Sequence, residues 1–339
     1  MKRLAFFIPF QGCGRRCVYC DQRAITGVSS GMATPEEVRS IAGRQVLPVE
    51  ICFFGGSFAK IEPGLMERYI EALTLAPEGS RVTFSSYPGD FEGERGALAI
   101  ETLKKYPIGT IELGIPSLDP AVLRQCNRDD DPEKIKNSIE ALRSAGFHIG
   151  AQTMIGLPGQ TFESAVRDLE TIASLMTGTS DASSPGRVNS CALPVKPLAL
   201  NPNATWDLRI YPCLVLRGTE LESLYRSGKY APLALEEAIR QAGTLLRVAS
   251  SLGFSAIRVG LLESDSLRRS VVAGPHHPAF GELALSEKLA LELAAQDIPW
   301  KIGSGKISQL TGHGGRGLRR LAELAGIAPE AARKLLTVR

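Results

Sequence analysis

The apolar run LAFFIPF, Leu4–Phe10, leads directly into the polar segment QGCGRRCVYCDQ, Gln11–Gln22. This segment places Cys13, Cys17 and Cys20 in the spacing C-x3-C-x2-C. Three thiols on one loop after one strand indicate a metal site, because thiolate sulfur is a strong ligand for zinc and iron. A closed structural site takes four protein ligands, so the loop leaves one coordination position for a substrate or cofactor.

The cysteine spacing, with Tyr19 immediately before the last cysteine, resembles the motif of the radical S-adenosylmethionine (SAM) superfamily. The resemblance implies that Cys13, Cys17 and Cys20 hold a 4Fe-4S cluster, and that SAM binds the fourth iron through its amino and carboxylate groups. It also implies an enzyme that takes one electron from a donor such as flavodoxin or ferredoxin and produces a 5'-deoxyadenosyl radical. Two alternatives stay open at this point: a zinc loop with a distant fourth ligand, and three unrelated core cysteines.

The composition is that of an ordinary globular chain. With 339 residues and 44% hydrophobic content, it can form one large or two smaller domains. No apolar run approaches the length of a membrane span, and no signal-peptide cleavage pattern follows the N-terminal apolar run. Seven cysteines, of which three are clustered, are typical of a metalloprotein in a reducing compartment. We therefore expect a cytoplasmic protein without a membrane partner, while nothing in the sequence predicts its oligomeric state.

Strand-like and helical runs alternate along the first two thirds of the chain, which predicts an α/β fold with a parallel sheet. The six strand-like runs are Leu4–Pro9, Glu50–Phe54, Arg81–Ser86, Thr110–Ile115, Phe147–Ile155 and Asp207–Tyr211. The helical patterns between them are Thr34–Ala42, Pro63–Leu73, Gly96–Tyr106, Pro132–Ala145 and Thr161–Leu175. The family resemblance implies a partial (β/α)6 TIM-type barrel with functional loops at the carboxyl ends of the strands, followed by a small C-terminal α/β appendage.

The second predicted strand ends in the segment Phe53-Phe54-Gly55-Gly56-Ser57. Paired glycines at the end of a strand allow a ligand to approach the backbone closely. Radical SAM enzymes have a Gly-Gly-Glu type segment here for the amino group of SAM. The serine in third position is similar to the subfamily that contains the Elongator catalytic subunit. We expect Gly55, Gly56 and Ser57 to bind SAM, and the alternative is a plain strand-to-helix turn.

The fourth strand, IELGIPSLD, resembles the family segment "ELGVQSxD" and points Glu112 toward the barrel interior. A carboxylate there is costly unless it bonds a ligand or a cation, so we expect Glu112 to bind the ribose or methionyl part of SAM. Pro116 replaces the usual glutamine, and Tyr87 replaces arginine in SSYPGD, which resembles "STRPD". We expect these two changes to affect contacts with the substrate or the SAM carboxylate but not the cluster.

The fifth strand ends in MIGLPGQT, which resembles the family turn "GLPGxT". The resemblance implies that adenine lies on the backbone at Gly156 and against Leu157. Gln152 lies two residues before Met154, on the same face of an extended strand, and we expect it to reach the same ligand. The alternative is a loop with ordinary turn chemistry.

The domain organisation follows from the composition and the resemblance. We assign residues 1–235 to the core barrel, 236–299 to a C-terminal extension of the core and 300–339 to a basic tail. Residues 177–205, rich in Ser, Pro, Asn and Thr, predict a flexible surface insertion. The resemblance to Elongator-subunit-like proteins covers about residues 1–285, and we expect the acetyltransferase domain of that subunit to be absent.

The tail from Trp300 to Arg339 carries eight basic residues and two glutamates, a net charge of +6. Its segment Gly312–Gly315 is a G-x-x-G loop similar to that of the RNA-binding KH module. The basic helix face after it is more often simply solvated, and RNA contact through the loop is the other interpretation. His276 and His277 are adjacent, and on a strand their side chains would diverge. We therefore expect a substrate-facing proton donor rather than a second metal site.

The predicted function is hydrogen-atom abstraction by a radical SAM enzyme from RNA, most simply tRNA, as in tRNA modification. One alternative is a radical SAM enzyme acting on a small-molecule or porphyrin-type substrate. The other alternative is a non-catalytic iron-sulfur protein that binds RNA. Catalytic residues other than the cofactor ligands are not predicted.

Overall fold

The computed structural model describes residues 1–14, 16–28, 32–128, 131–178 and 206–338. The predicted insertion at 177–205 lies almost wholly outside the described residues, and Cys191 lies outside them as well.

The described residues form eleven strands. Each strand of the main sheet is either one of the six predicted runs or one further strand. The strands are β1 Lys2–Phe7, β2 Val49–Phe54, β3 Arg81–Ser86, β4 Ile108–Gly114, β5 His148–Ile155, β6 Trp206–Pro212, β7 Val215–Leu216, β8 Phe254–Val259, β9 Val271–Ala273, β10 Trp300–Ile302 and β11 Leu336–Val338. Seven of them make one parallel sheet in the order β1-β2-β3-β4-β5-β6-β8. The α/β fold with a partial, curled barrel is therefore confirmed.

The sheet has one strand more than the six predicted from the sequence. The six predicted runs coincide with β1 to β6 within two residues at each end. The seventh, β8, pairs with β6 at the edge of the sheet and is half exposed. Its sequence FSAIRV interrupts the apolar residues with Ser255 and Arg258, so it lacks the continuous apolar run by which β1, at the opposite edge, is recognisable. The sheet thus continues beyond residue 235 into the stretch assigned to a C-terminal extension.

Helices follow most strands and cover the outside of the sheet. They are α1 Gln22–Thr26, α2 Pro35–Gly43, α3 Pro63–Ile70, α4 Gly93–Leu103, α5 Pro120–Gln125, α6 Pro132–Ser144, α7 Phe162–Thr177, α8 Glu220–Arg226, α9 Leu235–Ser251, α10 Asp265–Ser270, α11 Phe280–Ala294, α12 Ile307–Ala325 and α13 Pro329–Lys334. The predicted capping box of α2 is present, because Thr34 caps the helix, Glu37 bonds back to it and Pro35 occupies the first turn. Within the described residues, no helix is long and apolar enough to cross a lipid bilayer.

The C-terminal residues form a small α/β unit whose apolar cluster includes Trp300, Leu310, Leu321 and Ala332. Helix α11 contributes Leu289, Ala290 and Leu293 to the same cluster. Strands β10 and β11 pair in parallel beside α12 and α13. Helix α12 is interrupted at Gly312–Gly315, where three consecutive residues have φ between 50° and 76°. The predicted G-x-x-G segment therefore breaks the helix into two parts.

Candidate functional site

A cavity of about 760 Å³ lies where the carboxyl ends of the sheet strands meet. The loop after β1 brings all three cysteines of the C-x3-C-x2-C motif to its wall. Loops of a parallel α/β sheet collect at this end, which explains why residues far apart in sequence share one cavity. Eight predicted site residues line it, namely Cys13, Cys17, Cys20, Tyr19, Gly55, Gly56, Ser57 and Gln152.

The cysteine loop and the Gly-Gly turn after β2 are in direct backbone contact. A Cβ built on Gly12 would lie 2.1 Å from the carbonyl oxygen of Ser57, and Gly12 has a φ of +72°. A Cβ on Gly56 would lie 2.4 Å from the carbonyl oxygen of Gln11 and 2.5 Å from that of Ile8. Since no side chain fits at these distances, both glycines are needed to pack the two loops together.

Hydrogen-bond donors from the protein point at two of the three cysteine sulfurs. The Arg128 guanidinium lies 3.6 Å from Cys17 Sγ, and the Gln22 amide lies 3.8 Å from Cys13 Sγ. Burial, together with the neighbouring thiols, raises the pKa of Cys20 to about 12. Ligation to a metal cluster would offset that cost because the metal charge favours the thiolate.

The three cysteines share one loop that opens into the cavity. Within the described residues, no group of three or more His, Cys, Asp or Glu side chains converges closely enough to hold one metal ion. The donors to sulfur described above are the kind of outer contacts that cluster sulfurs receive. The residues present therefore fit a 4Fe-4S cluster.

Arg128 is a site residue that the sequence reasoning missed. Its guanidinium donates to the carbonyl of Gly114 at 2.9 Å and lies 4.5 Å over the Tyr87 ring. The preceding Asn127 has a φ of 53° and donates to the carbonyl of Arg16 at 2.9 Å, which fixes this turn against the cysteine loop. No local motif marks Arg128, because the loop that it contacts is 111 residues away in the sequence.

Ser57 and Asp90 form a buried polar pair at the Gly-Gly turn. Ser57 Oγ donates to Asp90 Oδ2 and accepts from the backbone N–H of Tyr87 at 2.7 Å. The second carboxylate oxygen, Asp90 Oδ1, is buried without a hydrogen-bond partner in the described residues. Burial raises the pKa of Asp90 to about 6, while the Ser57 bond and the charge of Lys60 act in the opposite direction. Asp90 belongs to the cavity lining, but this oxygen has almost no accessible surface, so a ligand's amino group would meet it only after the carboxylate rotates toward the cavity.

Glu112 lies beneath the cavity, and it is not among the residues that line it. Its carboxylate is 1% exposed and accepts two bonds of 2.5 Å from Arg209 and one of 2.8 Å from Gln152. The expectation that an interior carboxylate needs a cationic or hydroxyl partner holds, but the partner observed is Arg209. A direct contact with SAM therefore stays a prediction, and Gln152 and Arg209 are the members of this group that reach the cavity.

Gly156 and Leu157 also do not line the cavity. The carbonyl of Gly156 accepts from the Tyr230 hydroxyl at 2.6 Å, and its Cα faces the side chain of Leu233. Leu157 is buried in an apolar cluster with Cys126 and Cys213, against which Tyr19 packs. The structure gives these two residues a packing role, so their contact with adenine stays a prediction.

The remaining candidate residues lie away from the cavity. Cys52, Cys126 and Cys213 are buried free thiols, as expected for small core side chains. His276 bonds Glu263 at 2.9 Å, and neither His276 nor His277 belongs to the cavity lining. The structure therefore does not bring the predicted proton donors to the cavity.

Comparison with known families agrees with this geometry. A family model described as the Radical SAM superfamily matches residues 7–172, and a model described as the Radical_SAM C-terminal domain matches residues 205–290. The chain belongs to the radical SAM superfamily. As a radical SAM protein it is an enzyme, and the family implies a 4Fe-4S cluster and SAM as its cofactors.

The curated relatives of this radical SAM chain include Elongator-type proteins. It is 23% identical over 258 residues to the tRNA uridine(34) acetyltransferase of Methanocaldococcus jannaschii, which covers 71% of the chain and 42% of the relative. It is 23% identical over 273 residues to human Elongator complex protein 3, covering 76% of the chain and 44% of that protein. The heme chaperone HemW of Lactococcus lactis is 26% identical over 172 residues, covering 49% of the chain and 44% of HemW. The chain spans less than half of the length of each of these relatives.

Among solved structures, the archaeal Methanocaldococcus infernus Elp3 with an N-terminal deletion superposes with a TM-score of 0.57 at 18% identity. The match covers 86% of this chain and 63% of that structure. At such low identity the likeness shows the fold, which is the curled parallel sheet described above.

Proposed function

We propose that this radical SAM enzyme abstracts a hydrogen atom from an RNA substrate, most simply a tRNA that it helps to modify. The observation that supports the proposal most directly is the shared wall of the cavity, where Cys13, Cys17 and Cys20 lie beside the Gly-Gly-Ser turn. When bound, the cluster and SAM would together supply a 5'-deoxyadenosyl radical as the hydrogen-abstracting group. The protein supplies ligation, positioning and exclusion of solvent.

Cys13, Cys17 and Cys20 would hold the cluster, and Arg128 and Gln22 would donate to its cysteine sulfurs. Positive charge and hydrogen bonds near the sulfurs stabilise added negative charge, so they favour the reduced state of such a site.

Asp90 would bind the amino group of SAM, supported by Ser57. The buried oxygen Asp90 Oδ1 has no partner in the described residues, and rotation of the carboxylate toward the cavity would let an ammonium group satisfy it. Ser57 holds the other oxygen and thereby orients the carboxylate. Gly55 and Gly56 keep the turn free of side chains, and Tyr19 and Gln152 complete the wall on which the rest of SAM would lie.

The RNA part of the proposal rests on two supports. The names of the archaeal relatives include tRNA uridine(34), although the matches cover only 29% and 42% of those proteins. In addition, the appendage exposes the cations Lys301, Lys306, Arg333 and Lys334, which suit a phosphate backbone. The alternative, a porphyrin-type substrate, is supported by the similarity to HemW over half of the chain.

Two measurements test the proposal separately. Anaerobically reconstituted and reduced protein should convert SAM to 5'-deoxyadenosine and methionine, and a protein with an intact cluster that fails to do so would contradict the radical step. Nucleosides of tRNA from cells with and without the gene should differ by at least one modification. Identical nucleosides would reject tRNA and favour the small-molecule substrate.

A further inference from the structure

Two arginines stand side by side on the inner wall of the half-barrel, and only one of them has a carboxylate partner. Arg209 on β6 and Arg258 on β8 are paired in register, so their side chains leave the sheet on the same face, and both line the cavity. Glu112 neutralises Arg209 through two bonds of 2.5 Å. No carboxylate of the described residues forms an ion pair with Arg258.

The cavity wall carries more positively charged than negatively charged side chains. Among the described residues, six Arg or Lys side chains and one carboxylate line the cavity, the cations being Arg3, Arg16, Lys60, Arg128, Arg209 and Arg258. Arg3 pairs with Glu50, and Arg128 faces the cysteines. Glu112 already balances the charge of the neighbouring Arg209, so half-buried Arg258 is the arginine of this pair that an anion in the cavity would meet.

Arg258 lies where the two edges of the curled sheet come near each other. The sheet order places β1 and β8 at these edges, and the cysteine loop follows β1. Ile25, in the helix after the cysteine loop, packs in one apolar cluster with Leu261 after β8, so the β8 side of the cavity lies beside the cysteine loop. Leu261 and Leu262 follow β8 directly and line the same part of the cavity, with Leu262 55% exposed. A cation beside exposed apolar side chains suits a flat ring system that carries an anionic group.

We propose that Arg258 binds an anionic group of the substrate, a phosphate or a carboxylate, at the β8 edge of the cavity. The proposal rests on the proposed function, since it assigns a specificity residue to that same site. A guanidinium binds either group through two parallel hydrogen bonds. A phosphate would come from RNA, and a carboxylate from a porphyrin-type molecule.

The test uses the full chain with its cluster reconstituted anaerobically and with SAM present. Arg258→Gln removes the charge, Arg258→Lys keeps the charge without the planar fork, and Arg44→Gln removes one exposed charge at the opposite end of the sheet. The probes are unfractionated tRNA, titrated over a range of salt concentrations, and coproporphyrin, a tetracarboxylate. Cluster absorbance and thermal unfolding show whether each variant is folded.

We expect Arg258→Gln to weaken binding of one probe about tenfold or more, because a charge-assisted hydrogen bond is lost. Arg258→Lys should recover part of that loss, and Arg44→Gln should bind like the wild type. If tRNA is the probe affected, the slope of log affinity against log salt should fall by somewhat under one unit, which identifies phosphate as the group bound. If coproporphyrin is affected, the group is a carboxylate.

Equal binding of both probes by wild type and Arg258→Gln, or binding of neither probe by the wild type, would overturn the assignment of Arg258. These outcomes are distinguishable from failure of the proposed function, which shows as absence of 5'-deoxyadenosine from the wild-type protein with an intact cluster.

Discussion

Arg209 and Glu112 are joined by two hydrogen bonds of 2.5 Å each, across 97 residues of sequence. The carboxylate is 1% exposed and the guanidinium 10% exposed, so this is a buried ion pair in the floor of the cavity. Such a pair is costly to break, because the partner that remains keeps an uncompensated charge away from water.

Replacing Glu112 by Gln should therefore lower the free energy of unfolding by about 3 kcal/mol or more. Urea unfolding of the apoprotein measures the change. The matched control is Glu101→Gln, which disrupts the exposed pair with Lys104 and should alter stability little. Similar stabilities of the two variants would show that the buried pair does not hold the sheet together.

Changing Cys13, Cys17 or Cys20 singly to Ala should abolish the visible absorbance of the reconstituted cluster, because the loop has no further cysteine to replace the lost ligand. The same change at Cys52, Cys126, Cys191 or Cys213 should leave the absorbance intact. Iron and sulfide analysis checks the result, with four of each expected in the wild type. A fourth cysteine that proves essential would contradict an open coordination site.

Gly56→Ala should reduce incorporation of the cluster, and a loss of SAM binding should follow from the missing cluster. The added Cβ would collide with the carbonyl oxygens of Gln11 and Ile8 and push the cysteine loop away. We expect a stability loss of about 1–3 kcal/mol, typical of overpacking, and less iron per chain after reconstitution. Gly303→Ala is the control, since no atom lies within 4 Å of its added Cβ and Gly303 needs no positive φ. Normal iron content in Gly56→Ala would show that cluster incorporation does not require the contact between the two loops.

The buried carboxyl of Asp90 makes stability depend on pH. Burial raises its pKa from 3.8 to about 6, so between these values the folded state holds a proton that the unfolded state has released. Its contribution to stability is present below the unfolded pKa and is lost as the pH rises through about 6.

Asp90→Asn should therefore be more stable than the wild-type apoprotein at about pH 7.5, and the gain should shrink toward about pH 4, as thermal unfolding would show. The same variant should bind SAM about tenfold more weakly at neutral pH, because the amino group loses its carboxylate. A variant that loses stability at neutral pH would contradict the assignment of the orphaned oxygen.

Two arginines of the basic tail hold the appendage in place. Arg320 bonds Glu287, which is 1% exposed, and also pairs with Glu323, while Arg316 pairs with Glu236 on α9. Arg320→Ala should leave Glu287 buried without its counter-charge and increase hydrogen exchange in α12.

Lys301→Ala combined with Lys306→Ala should leave α12 protected, because both side chains are exposed. If RNA contacts the tail, this pair should flatten the salt dependence of tRNA binding. RNA contact through Gly312–Gly315 stays a prediction. Alanine at Arg316 or Arg320 does not test it cleanly, because both arginines also form ion pairs within the protein. Unchanged tRNA affinity and salt dependence in this double variant would show that RNA does not contact these two lysines.

Local chemistry explains why much of this protein was predictable from its sequence. The cysteine spacing, the paired glycines after β2 and the capping box of α2 act over a few residues, so each is legible in a short segment. Strands β2 to β6 are largely buried in the parallel sheet and read as apolar runs, and the edge strand β1 is recognisable from the apolar run that continues past its end to Phe10. The edge strand β8 is half exposed, and it could not be recognised by that signal.

The sequence by itself determined the family, the three-cysteine motif and the parallel α/β sheet, because a short motif and the apolar runs of buried strands are properties of neighbouring residues. Only the tertiary structure decided which charges meet. It paired Glu112 with Arg209, placed Arg128 on Cys17 and Asp90 beside Ser57, and left Arg258 without a carboxylate among the described residues. Burial makes each such pairing strong, and burial is a property of the folded sheet that no short segment contains.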